Sequence, residues 1–299
     1  MTIEALDRSV IWLTDRRKYF KVGELVSGEE LLRRLKPIGE LVLLMEKLTE
    51  HGWDCNEISR WAWVQFRRGA LFREIIIAKP DLIVLSTIFA SFKRLGFQDE
   101  KTERVLHYFL TSDYCKGIEM PTWRRLDVSH ASWKLGIREF SDLTLSGTWI
   151  SHHPEPWLVS SDIAYAVTHE IFYLTDFGRM PPRISTADRN FLEISILSWL
   201  RIFAMERNFD LVAELLMCSA YLDLLHICDT WEHVLLAHQR DDGCFPGPIG
   251  SAADIIDTKM SSSEVDFLQN YHTTLVGSLA LAAIQNCRAK STDTSFGHQ

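Results

Sequence analysis

LLAHQRDDGCFPGP at 235–248 and NYHTTLVGSLALAAI at 270–284 carry the reading of this chain. The first stretch is an apolar helix end running into Gln239, Asp242, Gly243 and Phe245, and Asp-Gly is turn chemistry. The second is a helix whose Gly277, Ser278, Ala280 and Ala282 allow close packing in a crowded interior. Together with the polar residues between them they predict a helix, a turn and a second helix.

Outward from this unit the chain again reads as helices. Apolar residues fall at helical spacing from Gly28 to His51. Asn56 is placed to cap a helix carrying Trp61, Trp63 and Phe66, and Lys79-Pro80-Asp81 opens another. Further helices are expected at 100–113, 140–149, 188–205 and 230–240. No alternating run of period two suggests a strand. From Asp81 on, a pattern recurs: FASFKRLGF at 89–97, HASWKLGI at 130–137, HEIFYLTDFG at 169–178, CSAYLDLL at 218–225 and HTTLVGSL at 272–279. Recurrence at spacings of roughly 40 to 55 residues marks a repeat architecture, in which stacked helices bury their apolar faces against neighbours.

Gln239-Arg240-Asp241-Asp242-Gly243-Cys244-Phe245 resembles the Q-x-x-D-G-x-W/F turn of the α/α-toroid superfamily, which includes terpenoid cyclases and protein prenyltransferase β subunits. Tyr271-His272-Thr273-Thr274 with Gly277 resembles the start of its inner helices, a YHT followed within a turn or so by glycine. The likeness is close over about 45 residues and elsewhere is one of repeat pattern. It implies an all-α fold, an α/α toroid of alternating inner and outer helices. The expected organisation is one domain over residues 1–299, with 1–55 as a candidate N-terminal helical extension.

Aligned, the five segments put Phe89, His130, His169, Cys218 and His272 at one shared position. In a toroid that position faces a central cavity. Imidazole and thiolate suit zinc, and a histidine-rich set with carboxylates suits iron. The resemblance adds that the YHT histidine of prenyltransferases is a zinc ligand and that an earlier inner helix supplies a cysteine, which Cys218 matches. Their aspartate ligand has no counterpart, because Leu216 stands there, and His169 is the candidate in its place. The expected metal set is therefore His169, Cys218 and His272, with His130 and Asp176 as candidate catalytic residues. Asp242-Gly243-Cys244 copies the D-G-C of a prenyltransferase site, yet follows an outer helix and is better read as turn. Each residue also has a plain reading: a buried histidine is ordinarily a hydrogen-bonded core residue, a buried cysteine a small hydrophobe, and Asp176 a helix-end cap. His152-His153 reads as loop, and His226, Cys228, Asp229 and His233 as a surface group at a helix start.

The remaining features bound the function. The 299 residues carry a formal charge of -8, against a broad nucleic-acid surface. Six cysteines without a C-x-x-C pair indicate neither a disulfide scaffold nor a zinc ribbon. No apolar run reaches membrane-span length and the N-terminus lacks a signal-peptide layout, so a cytoplasmic protein is expected. The chain has no phosphate-cradling glycine loop, G-x-S-x-G, H-E-x-x-H, D-x-D-D or D-D-x-x-D motif. The expectation is a zinc- or iron-dependent enzyme acting on a small molecule, isoprenoid or another natural product, in a central cavity lined by some of its ten tryptophans and sixteen phenylalanines. The alternatives are a metal-free cyclase or isomerase using general acid catalysis, and a non-catalytic binding module. A homo-oligomer or a helical partner chain is compatible with each.

Overall fold

The computed structural model describes residues 1–23, 29–253 and 255–296, and among them every regular element is helical. The helices are α1 (Thr2–Asp15), α2 (Glu29–Glu50), α3 (Asn56–Gln65), α4 (Ala70–Ala78), α5 (Ser86–Arg94), α6 (Glu100–Thr111), α7 (Asp113–Gly117), α8 (Thr122–Lys134), α9 (Ser161–Leu174), α10 (Thr186–Met205), α11 (Phe209–Tyr221), α12 (Leu225–Leu236) and α13 (Ser262–Phe296). The chain divides into two compact units. One comprises Met1–Phe20 and His152–Gln299, the other Lys21–Ser151. No described helix is long and apolar enough to cross a membrane.

Local chemistry moves some expected boundaries. Asn56 is the first helical residue rather than the cap, because its own backbone N–H donates to Asp54. The helix expected at 140–149 is a single turn, Phe140–Asp142, followed by Gly147 at φ +74°. The last helix begins well before Tyr271: Ser261 accepts the Glu264 backbone N–H and opens α13 inside what reads as a polar linker.

In the unit 21–151, α5 packs on α2 and α8, and α4 on α6. Its core is aromatic. Phe66 and Phe72 stack at 4.5 Å, and Phe89 and Phe92 meet Phe72 edge-on. All four are fully buried, so these rings fill the core. Beside them lies a buried ion cluster. Lys134 Nζ of α8 reaches both Glu46 oxygens of α2, at 2.7 and 2.8 Å, and also Ser91 of α5, while Lys47 Nζ lies 3.1 Å from Glu46. Burial alone would raise the Glu46 pKa, but the two ammonium groups outweigh it and hold the carboxyl at about 2. The cluster ties three helices together.

In the other unit, α11 is the hub. Every one of its thirteen residues is buried, and it packs on α9, α10, α12 and α13. The Gln239–Phe245 turn has a scaffold role there. Gln239 Nε2 donates to Ala5 O and Gly243 O, and Trp12 Nε1 of α1 donates to Asp242 at 3.2 Å. Gly243 sits at φ +94°, where a Cβ would fall 2.3 Å from Arg8 O. The turn therefore clasps α1, which also meets α13 through Ser9 and Ser278 at 2.8 Å. Asp242 and Cys244 belong to that clasp: Asp242 accepts the Cys244 backbone N–H, and Thr274 Oγ1 donates to Cys244 Sγ. Burial pushes the Cys244 thiol up to about 11.

Candidate functional site

Helix α11 reads FDLVAELLMCSAY, largely apolar, with Asp210 and Glu214 as its charged residues. Four residues apart, these two carboxylates and Cys218 share one helix face. Asn208 opens the helix by accepting the Leu211 backbone N–H. Leu211, Val212, Leu215, Leu216 and Met217 are fully buried, roughly 2 kcal/mol each. Their burial offsets the cost of carrying two carboxylates into the interior.

Each carboxylate meets a threonine and a histidine that are adjacent in sequence. Thr168 Oγ1 of α9 donates to Glu214 Oε2 at 2.5 Å, and His169 Nδ1 lies 3.7 Å from the same oxygen. Thr273 Oγ1 of α13 donates to Asp210 Oδ1, and His272 Nε2 lies 3.9 Å from Asp210 Oδ2. Tyr165 of α9 lies one turn before His169, its phenol in the neighbourhood of Asn208, Asp210 and Glu214. Burial and then the negative charge of Asp210 and Glu214 push its phenol well above the ordinary value, so the hydroxyl stays protonated. The carboxylates are inside, with side-chain exposures of 10% for Asp210 and 2% for Glu214. The imidazoles reach outward at 29% for His272 and 28% for His169.

The tautomer of His169 follows from its contacts. Nδ1 stands 2.7 Å from the Tyr165 carbonyl, which only accepts, so in the neutral ring the proton is on Nδ1 and the lone pair on Nε2. The arrangement can accept a proton at an imidazole and stabilise the resulting cation with a buried carboxylate. It holds two such pairs, one turn apart on the same helix.

The expected site residues fare unequally. His169 and His272 come to this cluster, each beside a carboxylate. Cys218 lies on the same face of α11, fully buried, its Sγ donating to Thr168 O at 3.8 Å. Burial, then the charge of Glu214, raises its pKa well above the ordinary value, so it is a neutral thiol. Asp176 is fully buried, but α9 ends at Leu174, which takes it off the helix face of His169 and into a turn. There Asp176, Phe177 and Gly178 have φ of +45°, +53° and +80°, and the Asp176 carboxylate lies 3.7 Å from Arg179 Nε. His130 belongs to the unit 21–151, where it is buried on α8 with its ring 5.6 Å from that of Trp133. Among the described residues no three His, Cys, Asp or Glu side chains are grouped as a metal ion requires.

Elsewhere, His153 Nε2 contacts Asp188 at 2.7 Å and stacks on Phe191, and Asp229 pairs with Arg288. Asp210, Glu214, Thr168, Thr273 and Tyr165 are the residues that sequence reading passes over. The available signal is two acids at i, i+4 inside an otherwise apolar helix, too apolar throughout to keep them at a surface.

A family model described as a domain of unknown function, DUF6895, matches residues 6–282. No curated protein and no solved structure matches the chain.

Proposed function

The chain belongs to the DUF6895 family, and from that starting point we propose that it is an acid–base enzyme for a small molecule, working at the α9–α11–α13 cluster without a metal. The observation that carries this reading is the pairing of each buried α11 carboxylate with a threonine hydroxyl and a partly exposed imidazole. Two buried carboxylates one turn apart cost stability that apolar residues would not, and such arrangements concentrate at functional sites. In the proposed cycle one imidazole takes a proton from the substrate and the other returns one. Glu214 and Asp210 balance the charge, and Tyr165 supplies a neutral hydrogen-bond donor. The class of reaction is isomerisation, elimination or cyclisation, with no change of oxidation state. The resemblance of the 239–245 turn and of Tyr271-His272-Thr273 to α/α-toroid repeats supports an isoprenoid-like substrate, and supports a toroid as the arrangement of the helices.

The zinc or iron reading competes for the same side chains, since two imidazoles and two carboxylates are ligand types for both ions.

The test is deuterium incorporation from D2O into isoprenoid alkenes and prenyl diphosphates, followed by mass spectrometry. Incorporation lost in His169→Ala and in His272→Ala but kept in Cys218→Ser supports the proposal. About one equivalent of zinc or iron in untagged protein, lost in the same two histidine variants, overturns it in favour of the metal reading. Incorporation that survives both histidine substitutions overturns the assignment of the site.

A further inference from the structure

In the unit 21–151, α4 and α6 form an open trough on the surface, with a volume of about 480 Å³. Ile77, Val105 and Phe109 make its floor, and Lys101, Arg104 and Tyr108 its rim. Tyr108 is 68% exposed and Ile77 57%. Along α6, Lys101, Arg104, Val105 and Tyr108 follow i, i+3, i+4, i+7 on one face, while Thr102, Leu106 and Leu110 bury the opposite one. The helix thus shows two faces with apolar content, and only one is packed into the core. A second hollow of about 240 Å³, containing Lys93, His107 and Leu135, adjoins the first across Arg104.

The rim is cationic in a chain whose formal charge is -8. Its internal ion pairs leave room for a stronger partner. Arg104 stands 3.9 Å from Glu100, with both side chains more than two-thirds exposed, and a pair of that kind contributes little. Arg73, at the edge of the trough, is paired with Asp99 and donates to Thr102, so the positive charge offered by the rim is that of Lys101 and Arg104. A single acyl chain binds best where most of its surface is enclosed, and this trough is open along its length. An apolar floor about two helical turns long, edged by cations, is the geometry of helix-in-groove recognition.

From these features we infer that the α4–α6 trough is a docking site for an acidic amphipathic helix of a partner polypeptide. Apolar residues at i, i+4 and i+7 of that helix lie on Ile77, Val105 and Phe109, and flanking Glu or Asp side chains meet Lys101 and Arg104. The site is separate from the histidine–carboxylate cluster and stands or falls independently of it.

The test uses the full chain and a fluorescein-labelled, helix-forming peptide with leucines at i, i+4 and i+7 and glutamates on the flanks. Fluorescence anisotropy is expected to show salt-sensitive binding, about tenfold or more weaker in the Lys101→Glu/Arg104→Glu double variant and again in Tyr108→Ala. These positions are on the surface, and circular dichroism of the variants should match that of the parent chain. A same-composition scrambled peptide and a lysine-flanked peptide are expected not to bind. Equal binding of the scrambled peptide, or unchanged binding by the double variant, overturns the inference. So does binding to phosphatidylserine–phosphatidylcholine vesicles that the same substitutions abolish, which would make the trough a lipid contact. A parent chain that is dimeric by light scattering and becomes monomeric in the double variant would make the occupant a second copy, and likewise overturns it.

Discussion

Thr168 Oγ1 donates a hydrogen bond to Glu214 Oε2 at 2.5 Å, across the α9–α11 contact and next to His169. Removing that donor leaves a carboxylate with 2% side-chain exposure short of a hydrogen bond, a loss on the order of 1–3 kcal/mol. Thr168→Val, nearly identical in shape, is expected to lower the unfolding free energy measured by urea denaturation by that amount. Thr168→Ser keeps the hydroxyl and should restore most of it. Equal stability of the valine and parent proteins would show that the bond does not support Glu214.

Glu46 supplies a pH dependence in the unit 21–151. Its folded pKa of about 2 lies below the ordinary 4.5, so its contribution is fully present above 4.5 and is lost as pH falls through 2. It is worth on the order of 3 kcal/mol. Denaturation midpoints measured from pH 5 down to 2 should therefore decline, and the decline should flatten in Glu46→Gln. Lys134→Met, which removes the nearer ammonium, should destabilise by several kcal/mol.

Cys218 is expected to resist alkylation. A thiol with no exposed surface and a pKa raised by burial and by Glu214 supplies almost no thiolate at pH 8. Iodoacetamide followed by peptide mass mapping should label Cys115, which is partly exposed, well before Cys218. Rapid labelling of Cys218 in folded protein would contradict its placement.

Gly243→Ala combines a left-handed backbone with a Cβ 2.3 Å from Arg8 O. The conformation alone costs about 1 kcal/mol, and the contact forces α1 away from the turn. The variant should lose several degrees in Tm and admit limited proteolysis at α1 before α11. An unchanged cleavage order would mean that the turn does not retain α1.

The all-helical class was legible because apolar residues recur at helical spacing and never alternate over a strand's length. Of the candidate site, the histidines of α9 and α13 and the thiol of α11 stand out through the repeated segments. The carboxylates that complete it do not. Asp210 reads as an ordinary acid at a helix start and Glu214 as a solvated residue, and only the burial of all of α11 makes them exceptional. Spacing also says nothing about which unit a segment joins, so His130 aligns with His169 by pattern while folding in the unit 21–151. The position of Asp176 depended on where α9 stops. That is fixed by three consecutive left-handed residues, with Gly178 lying where a Cβ would meet the Tyr221 ring.

The contact of Ser9 with Ser278 joins α1 to α13 across 269 positions of chain. During synthesis on the ribosome, α1 must wait for the intervening 269 positions before it meets Ser278 of α13. Truncation before α13 should therefore leave α1 held only by the 239–245 turn and the end of α12.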